Sequence, residues 1–353
     1  MRNRFRQIAV TVAAGLLTTA LLASCGSSGG DPATSSGTGA GSTTPGKVLT
    51  IGYSAWPGWF PLTVAEQEKE FSKAGLNVKL VYFTDYTASL DALVAGKVDV
   101  NAQTLNDTLF GVAAGSKQTV VVTNDNSTGN DAVICDKAIT SVKQLKGKTI
   151  GAELGVVDHF LLLQGLAKEG MTEKDVDFKG IKTDAAAAGF ASGQFDCVAV
   201  FAPFTVQALE RKGSHVLFSS KDFPGIIPDH LVASSDVVKS RPKDMQKLVN
   251  AWYATLADIK NDPSGTTAIM AKKAGLSAAD YDSFAEGTTI FSAKEALDAF
   301  ADRKGDATSL PEMARRINPF LVSSGIAKEE APLDGLFDAS FTQAYVDAHK
   351  AEG

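Results

Sequence analysis

Hydrophobic and polar positions divide the chain into three stretches. Apolar residues run from Ile8 to Ala23 behind Arg2, Arg4 and Arg6, and stop at Cys25. Positions 26–46 are Gly, Ser, Thr, Ala and Pro around a single Asp31. From position 47 on, short β-branched runs alternate with helical periodicity. Val48-Leu49-Thr50-Ile51 predicts a strand, the turn Gly52-Tyr53-Ser54-Ala55-Trp56-Pro57-Gly58-Trp59 follows, and Leu62 to Lys73 reads as a helix ended by Gly75. Further strands are expected at 78–83, 98–101 and 119–123, with helices starting at Tyr86 and near Asn106. A second run repeats the logic: strands at 131–135, 149–152, 176–181 and 197–201, a short helix at 141–145, and helices opening near Asp158 and at Asp184 as cap. Strands alternating with helices of this length argue for βαβ units and a largely parallel sheet.

The two runs share an ending. Gly96-Lys97-Val98-Asp99 and Gly193-Gln194-Phe195-Asp196 each close a helix with Gly and place an Asp before an apolar strand. The repeat at equivalent places predicts two similar lobes. The chain is expected to cross between them near 124–130 and again near 225–230, where Pro224 and Pro228 bracket the crossing. Positions 47–126 with 231–353 would then form lobe 1 plus C-terminal helices, and 127–230 lobe 2. After Ser240 the pattern is helical and polar-faced, with Trp252-Tyr253 packing onto a lobe.

The beginning of the chain reads as an export signal at 1–24, too short to span a bilayer. The stretch 25–46 cannot bury enough apolar surface to fold and reads as a tether spanning roughly 25 Å root-mean-square. The sequence carries 34 basic and 40 acidic residues; loss of 1–24 removes three arginines and no acid, leaving 31 against 40. A net charge near −9 speaks against a nucleic-acid partner. Cys135 and Cys197 fall in predicted strands of one lobe; buried free thiols are favoured over a disulfide, although export would permit a pair. His159, His215, His230 and His349 are scattered, so no metal site and no cofactor is expected.

Tryptophans beside a Gly/Pro turn at the carboxyl end of a sheet point to a ligand cleft, because that edge is where open α/β sheets bind. The alternative is that both rings cover the local core.

Several motifs together resemble bacterial ABC-transporter solute-binding lipoproteins, and within them the nitrate/sulfonate/taurine group. They are Leu22-Ala23-Ser24-Cys25, which is similar to a lipobox; the tether; the Trp56–Trp59 loop; the doubled Gly-x-x-Asp ending; Leu145-Lys146-Gly147-Lys148-Thr149-Ile150-Gly151; and the helix start Asp158-His159-Phe160-Leu161-Leu162. The resemblance runs from Cys25 to Pro263. It implies a type II periplasmic-binding-protein fold, two α/β lobes on a two-strand hinge, and a monomer lipid-anchored through Cys25 on the extracytoplasmic face. The implied partners are a small-molecule solute, an ABC permease and its ATPase. By position the pocket would draw on Ser54, Trp56, Trp59, Asp85, Asn106, Asp107, Asp125, Asn126, Ser127, Asp158, His159, Phe201, Phe204 and Asp229.

Charge departs from the group's pattern. Anion binders of this kind hold an oxyanion at helix starts, whereas these wall segments offer Asp85, Asp107, Asp125, Glu153, Asp158 and Asp229 and no Lys or Arg. Indoles beside carboxylates suit a small cationic or zwitterionic nitrogen compound, a guanidinium, amidine or amine; a sulfonate or taurine-like solute is the alternative. Helix capping is the competing role for Asp107 and Asp158. Two other readings are weighed: an enzyme like the pyrimidine synthases of thiamine metabolism, which lacks its cysteine cluster here, and a lipid-anchored accessory or sensor domain with a degenerate cleft.

Overall fold

A computed structural model describes residues 47–350; the expected signal, Cys25 and the tether lie outside the described residues. Two sheets organise the chain. The first contains β1 (Leu49–Tyr53), β2 (Val78–Tyr82), β3 (Val100–Thr104), β4 (Gln118–Ser127), β10 (Pro228–Ser234) and β11 (Thr288–Ile290), in the order β11-β4-β10-β3-β1-β2. The second contains β5 (Asp131–Cys135), β6 (Thr149–Ala152), β7 (Asp177–Gly180), β8 (Cys197–Phe201) and β9 (His215–Ser219), in the order β7-β6-β8-β5-β9. The cores β2-β1-β3 and β7-β6-β8 are parallel, each followed by strands running the other way.

The expectation of largely parallel sheets is therefore corrected: both are mixed. β10 pairs antiparallel with β3 and β4, and β5 antiparallel with β8 and β9. The reason is the crossing itself. Strands that leave one sheet for the other, and return, enter their neighbours from the opposite end, which local periodicity does not reveal.

The doubled Gly-x-x-Asp ending has one mechanical role in both lobes. Gly96 and Gly193 adopt φ of 65° and 83°, the left-handed conformation that ends a helix. Three residues on, Asp99 accepts from the Thr50 N–H at 2.8 Å and Asp196 from the Thr149 N–H at 2.9 Å, while their own N–H groups donate back to Thr50 and Thr149 carbonyls. Each Asp fixes where the first strand of its parallel core, β1 or β6, meets the third, β3 or β8.

Helices α1 (Pro61–Gln67) and α2 (Glu70–Lys73) replace the single helix expected, because Lys69 breaks it with φ 63°. Around the cleft stand α3 (Tyr86–Val94), α4 (Leu105–Ala113), α5 (Val157–Lys168), α6 (Thr183–Ala191) and α7 (Phe204–Leu209). Lys182, not Asp184, is the N-cap residue of α6. The C-terminal helices pack on the first sheet, with Trp252 1% exposed inside Pro242–Asn261, a packing role as expected.

Cys135 and Cys197 are paired rather than free. They stand directly opposite each other in the antiparallel β5/β8 register, 4.1 Å apart at Cα, and their sulfurs are bonded. Opposed side chains on one face of a sheet are close enough to join; sequence alone did not show that register. Among the described residues no helix is long and apolar enough to cross a membrane, and no group of three or more His, Cys, Asp or Glu could hold a metal.

Candidate functional site

The turn after β1 delivers Trp56 and Trp59 to the space between the two sheets, and hydrogen bonds from the Trp59 and Phe60 N–H groups to the Trp56 carbonyl fix its shape. Four aromatic rings then close on one another. Trp56 and Trp59 lie 6.4 Å apart between centroids, Trp59 and Tyr86 5.5 Å, Tyr86 and Phe201 6.0 Å, and Phe201 and Trp56 6.4 Å. Trp56, Trp59 and Tyr86 come from the first lobe and Phe201 from the end of β8 in the second. They surround a cavity of about 10 Å³ lined also by Ala55, Thr104, Asp131, Val157 and Asp229. That is near the minimum that admits one water-sized guest.

Carboxyl groups crowd the walls of this box. Asp107, Asp125, Asp131, Asp158 and Asp229 are between 0% and 3% exposed. The Trp56 Nε1–H donates to Asp125 Oδ1 at 3.0 Å. Gly58 is required at its position, because a Cβ there would sit 1.9 Å from Asp125 Oδ2. Asp125 and Asp229 are paired in register across β4 and β10. On the other wall Tyr86 Oη (2.9 Å) and Thr104 Oγ1 (2.7 Å) donate to Asp107 Oδ2, and Asn106 Nδ2 to Oδ1 at 2.9 Å. In the second lobe Thr183 Oγ1 lies 2.6 Å from Asp158 Oδ2 and 2.9 Å from Glu153 Oε2.

Burial dominates the electrostatics. Desolvation pushes Asp107 and Asp131 up to about 7, against hydrogen bonds from Thr104 and Tyr86 to the first and from Ser127 to the second. Asp158 and Asp229 rise well above the ordinary carboxylate range through burial first and neighbouring acids second. Asp125 is raised too, by burial, with Trp56 opposing. Beyond the acid–acid contact with Asp125, neither oxygen of Asp229 accepts a hydrogen bond from a described residue; the same holds for one oxygen each of Asp125, Asp131 and Asp158. The arrangement can accept N–H donors and positive charge.

Comparison with known proteins decides the family. A model of the NMT1-like family matches positions 42–264, more than half the chain. The chain belongs to the NMT1-like family. A putative binding protein from Brucella abortus is 27% identical over 207 residues, covering 57% of this chain and 63% of its own length. The chain thus matches under two thirds of the length of that relative. A putative aliphatic sulfonates-binding protein from Escherichia coli is 24% identical over 249 residues, covering 69% of this chain and 78% of its own. Among solved structures, the alkanesulfonate-binding protein SsuA from Xanthomonas axonopodis pv. citri bound to MOPS superposes with TM-score 0.69 at 19% identity, covering 82% of this chain and 98% of its own. At that identity the likeness shows the fold: two α/β lobes of the periplasmic-binding-protein kind, as the sequence led one to expect.

Within this NMT1-like chain the expected site residues separate into groups. Trp56, Trp59, Phe201 and Asp229 line the aromatic box, Asp125 and Asp107 hold its walls, and Asp158 stands buried behind Val157. Neither Asp107 nor Asp158 caps its helix; Thr104 caps α4, and the N-cap of α5 is Val156. Asn106 serves Asp107. Ser54, Asp85 and Phe204 line a cavity of about 200 Å³ at the mouth, where Phe204 stacks edge-on against Phe201 at 5.5 Å. Asn126 and Ser127 border a cavity of about 590 Å³ behind the crossing; Ser127 Oγ pairs with Ser220 Oγ at 2.7 Å and touches the box only through its hydrogen bond to Asp131.

His159 also turns from the box. Its Nδ1 accepts from the Gly155 N–H at 3.3 Å, so Nε2 carries the proton toward Glu173 Oε2 at 2.6 Å, and the ring stacks on Phe178. It borders a separate groove of about 1110 Å³ between α4, α5 and the helix Leu310–Ser323. This larger space has no comparable set of buried unpartnered acceptors, so the smaller aromatic box is the stronger candidate for the solute.

Three side chains escaped the sequence reading. Tyr86 and Asp131 line the box, and Lys182 corrects the expectation of a mouth without basic residues, reaching Asp85 at 2.8 Å and Glu153 at 3.1 Å. Tyr86 stood at a predicted helix start and Asp131 at a predicted strand start, signals that place a residue without aiming its side chain.

Proposed function

We propose that this chain is the extracytoplasmic solute-binding component of an ABC importer of the nitrate/sulfonate/taurine type, delivering its solute to a membrane permease. Positions 47–126 with 231–353 form one lobe in this reading and 127–230 the other, and the solute sits where they meet. Its solute is a small nitrogen compound, cationic or zwitterionic. The observation that carries the reading is the interlobe aromatic box lined by Asp131 and Asp229, with Asp107, Asp125 and Asp158 buried around it. An oxyanion in that space would meet carboxyl groups and no described basic side chain, and every one of those carboxyls that ionises would repel it by on the order of 3 kcal/mol. Attachment through a lipidated Cys25 belongs to the same reading.

A sulfonate is the second reading, favoured by what the E. coli and Xanthomonas proteins are named for. Taurine reconciles the two in part, since it carries an ammonium. An enzymatic role has little support from the site, because the box holds carboxyls and aromatic rings but no Ser, Cys or Lys nucleophile among its lining residues.

Trp56→Ala tests the assignment. Removing this ring also removes the Asp125 hydrogen bond, so solute-dependent changes in intrinsic fluorescence should vanish while far-ultraviolet circular dichroism still reports a folded chain. Unchanged affinity for whichever solute the wild type binds would discard the box as the site.

A further inference from the structure

The residues around the box also specify what kind of cation fits, an inference that rests on the solute-binding reading above. We propose that the solute is a compact cation bearing several N–H donors, of the guanidinium class, and that the site rejects both alkanesulfonates and fully alkylated ammonium ions.

Size comes first. In the closed arrangement the enclosed space is about 10 Å³, so every added heavy atom forces the rings apart. A guanidinium ion, one carbon and three nitrogens in a plane, also requires the rings to part, but its flatness keeps that separation small while its edge reaches several walls. A longer alkyl chain would have to leave the box past Ala55 and Phe201 into the mouth cavity, away from the carboxyl groups.

Donors decide the next step. Aromatic boxes of this kind hold quaternary ammonium ions through ring faces alone, and four rings closed on one another would serve that purpose. But such an ion offers no N–H. Here the walls carry acceptors that nothing else serves: Asp131 Oδ2 and, apart from the contact with Asp125, both oxygens of Asp229, each side chain at most 2% exposed and each lining the cavity. A buried carboxylate oxygen without a donor carries a large desolvation penalty, and a charged donor removes it most effectively. A planar guanidinium presents paired N–H groups that match carboxylate geometry, while its faces lie against indole and phenol rings. The neighbouring acids are already committed. Asp107 is served by Tyr86, Thr104 and Asn106, and Asp125 by Trp56. Asp131 and Asp229 are left to meet the guest.

Charge balance points the same way. No described basic side chain lines the box; Lys182 stands at the mouth and is taken up by Asp85 and Glu153.

Isothermal titration of the full chain with guanidinium chloride, methylammonium, tetramethylammonium, methanesulfonate, taurine and calcium chloride tests the proposal, with Asp229→Asn alongside. That variant keeps the shape and replaces a buried carboxyl that would have to ionise to meet a cation, so folding should survive. Guanidinium should bind saturably, methylammonium more weakly, and the others not at all. Asp229→Asn should weaken guanidinium roughly thirtyfold or more. Binding of methanesulfonate or taurine with guanidinium silent would overturn the cation class while leaving the solute-binding reading intact. Tetramethylammonium binding as tightly as guanidinium would overturn the donor argument, as would unchanged affinity in Asp229→Asn. Tight calcium binding would make this a metal site instead. Silence to every probe would overturn the guanidinium proposal, and a further silent screen of diverse small solutes would take the solute-binding reading with it.

Discussion

Raising the pH should destabilise the solute-free protein, and the direction follows from which groups are buried. Asp107 and Asp131 are shifted from 3.8 to about 7 by loss of hydration. An acid whose folded pKa lies above its unfolded value favours folding at low pH. That advantage is complete below about 4 and is lost as pH rises through about 7. Each group contributes about 1.4 kcal/mol per pH unit within that window, so the pair is worth roughly 5 kcal/mol between about pH 5 and pH 7. His230 opposes this. It is buried, shifted down to about 3, and costs stability as pH falls below its ordinary 6.5. Over the same span it removes roughly 2 kcal/mol, and His159, lowered less by burial against Glu173, a little more.

The acids win by about 3 kcal/mol, before Asp125, Asp158 and Asp229 are added with the same sign. For a folded part of this size that is roughly 5 °C in Tm. Thermal unfolding followed by circular dichroism at about pH 5 and about pH 7.5, in one buffer system and without solute, measures it. Tm should be higher at the acidic value, and Asp131→Asn should flatten the difference by about one group's share. A Tm that is flat or rises toward pH 7.5 would refute the claim that these carboxyls are buried without compensation.

Two further outcomes are expected. Gly58→Ala should cost about 1–3 kcal/mol by overpacking and also impair solute binding, because the new Cβ displaces the carboxylate of Asp125 that Trp56 grips; calorimetry paired with a binding titration would show both losses, and a variant that binds normally would separate Gly58 from the site. Cys25→Ser should leave the exported chain unlipidated and released from membranes, read by metabolic labelling and fractionation; persistent membrane attachment would exclude the lipid anchor.

Much of the fold was legible because it rests on local rules. Strands 131–135, 149–152 and 197–201 end where their turn residues end, and the Gly-x-x-Asp repeat marked two lobes before Asp99 and Asp196 were seen to lock β1 and β6. The aromatic turn was legible because indoles beside Gly and Pro have few other uses. What was not legible depends on direction in space. Along β4 successive side chains point to opposite faces, so Asp125 reaches the box while Asn126 turns away. His159 follows Asp158 on α5 by one position, about 100° of helix, which is enough to send it to another groove. Cys135 and Cys197 join because of an antiparallel register between strands 62 positions apart.

Closure and solute binding are coupled by the same charges that set the pH response. Contacts that cross between lobes at the mouth are exposed or partly so: Lys182, half-exposed, reaches Asp85, and Thr87 bonds Glu153. Pairs of that kind contribute at most about 1 kcal/mol each. Deeper in, Asp107 of the first lobe takes a hydrogen bond from the Val157 N–H at the start of α5, where the helix end carries positive potential. Against these small gains, the box leaves Asp131 Oδ2 and, beyond the contact with Asp125, both oxygens of Asp229 without a donor. On the proposed reading, the empty closed state sets the desolvation of those oxygens against weak latches, so closure without solute is expected to be disfavoured. A cation carrying N–H groups reverses the balance, because it supplies both the charge and the donors that water supplied before. The carboxyls that make the empty protein less stable are thus what makes closure depend on solute.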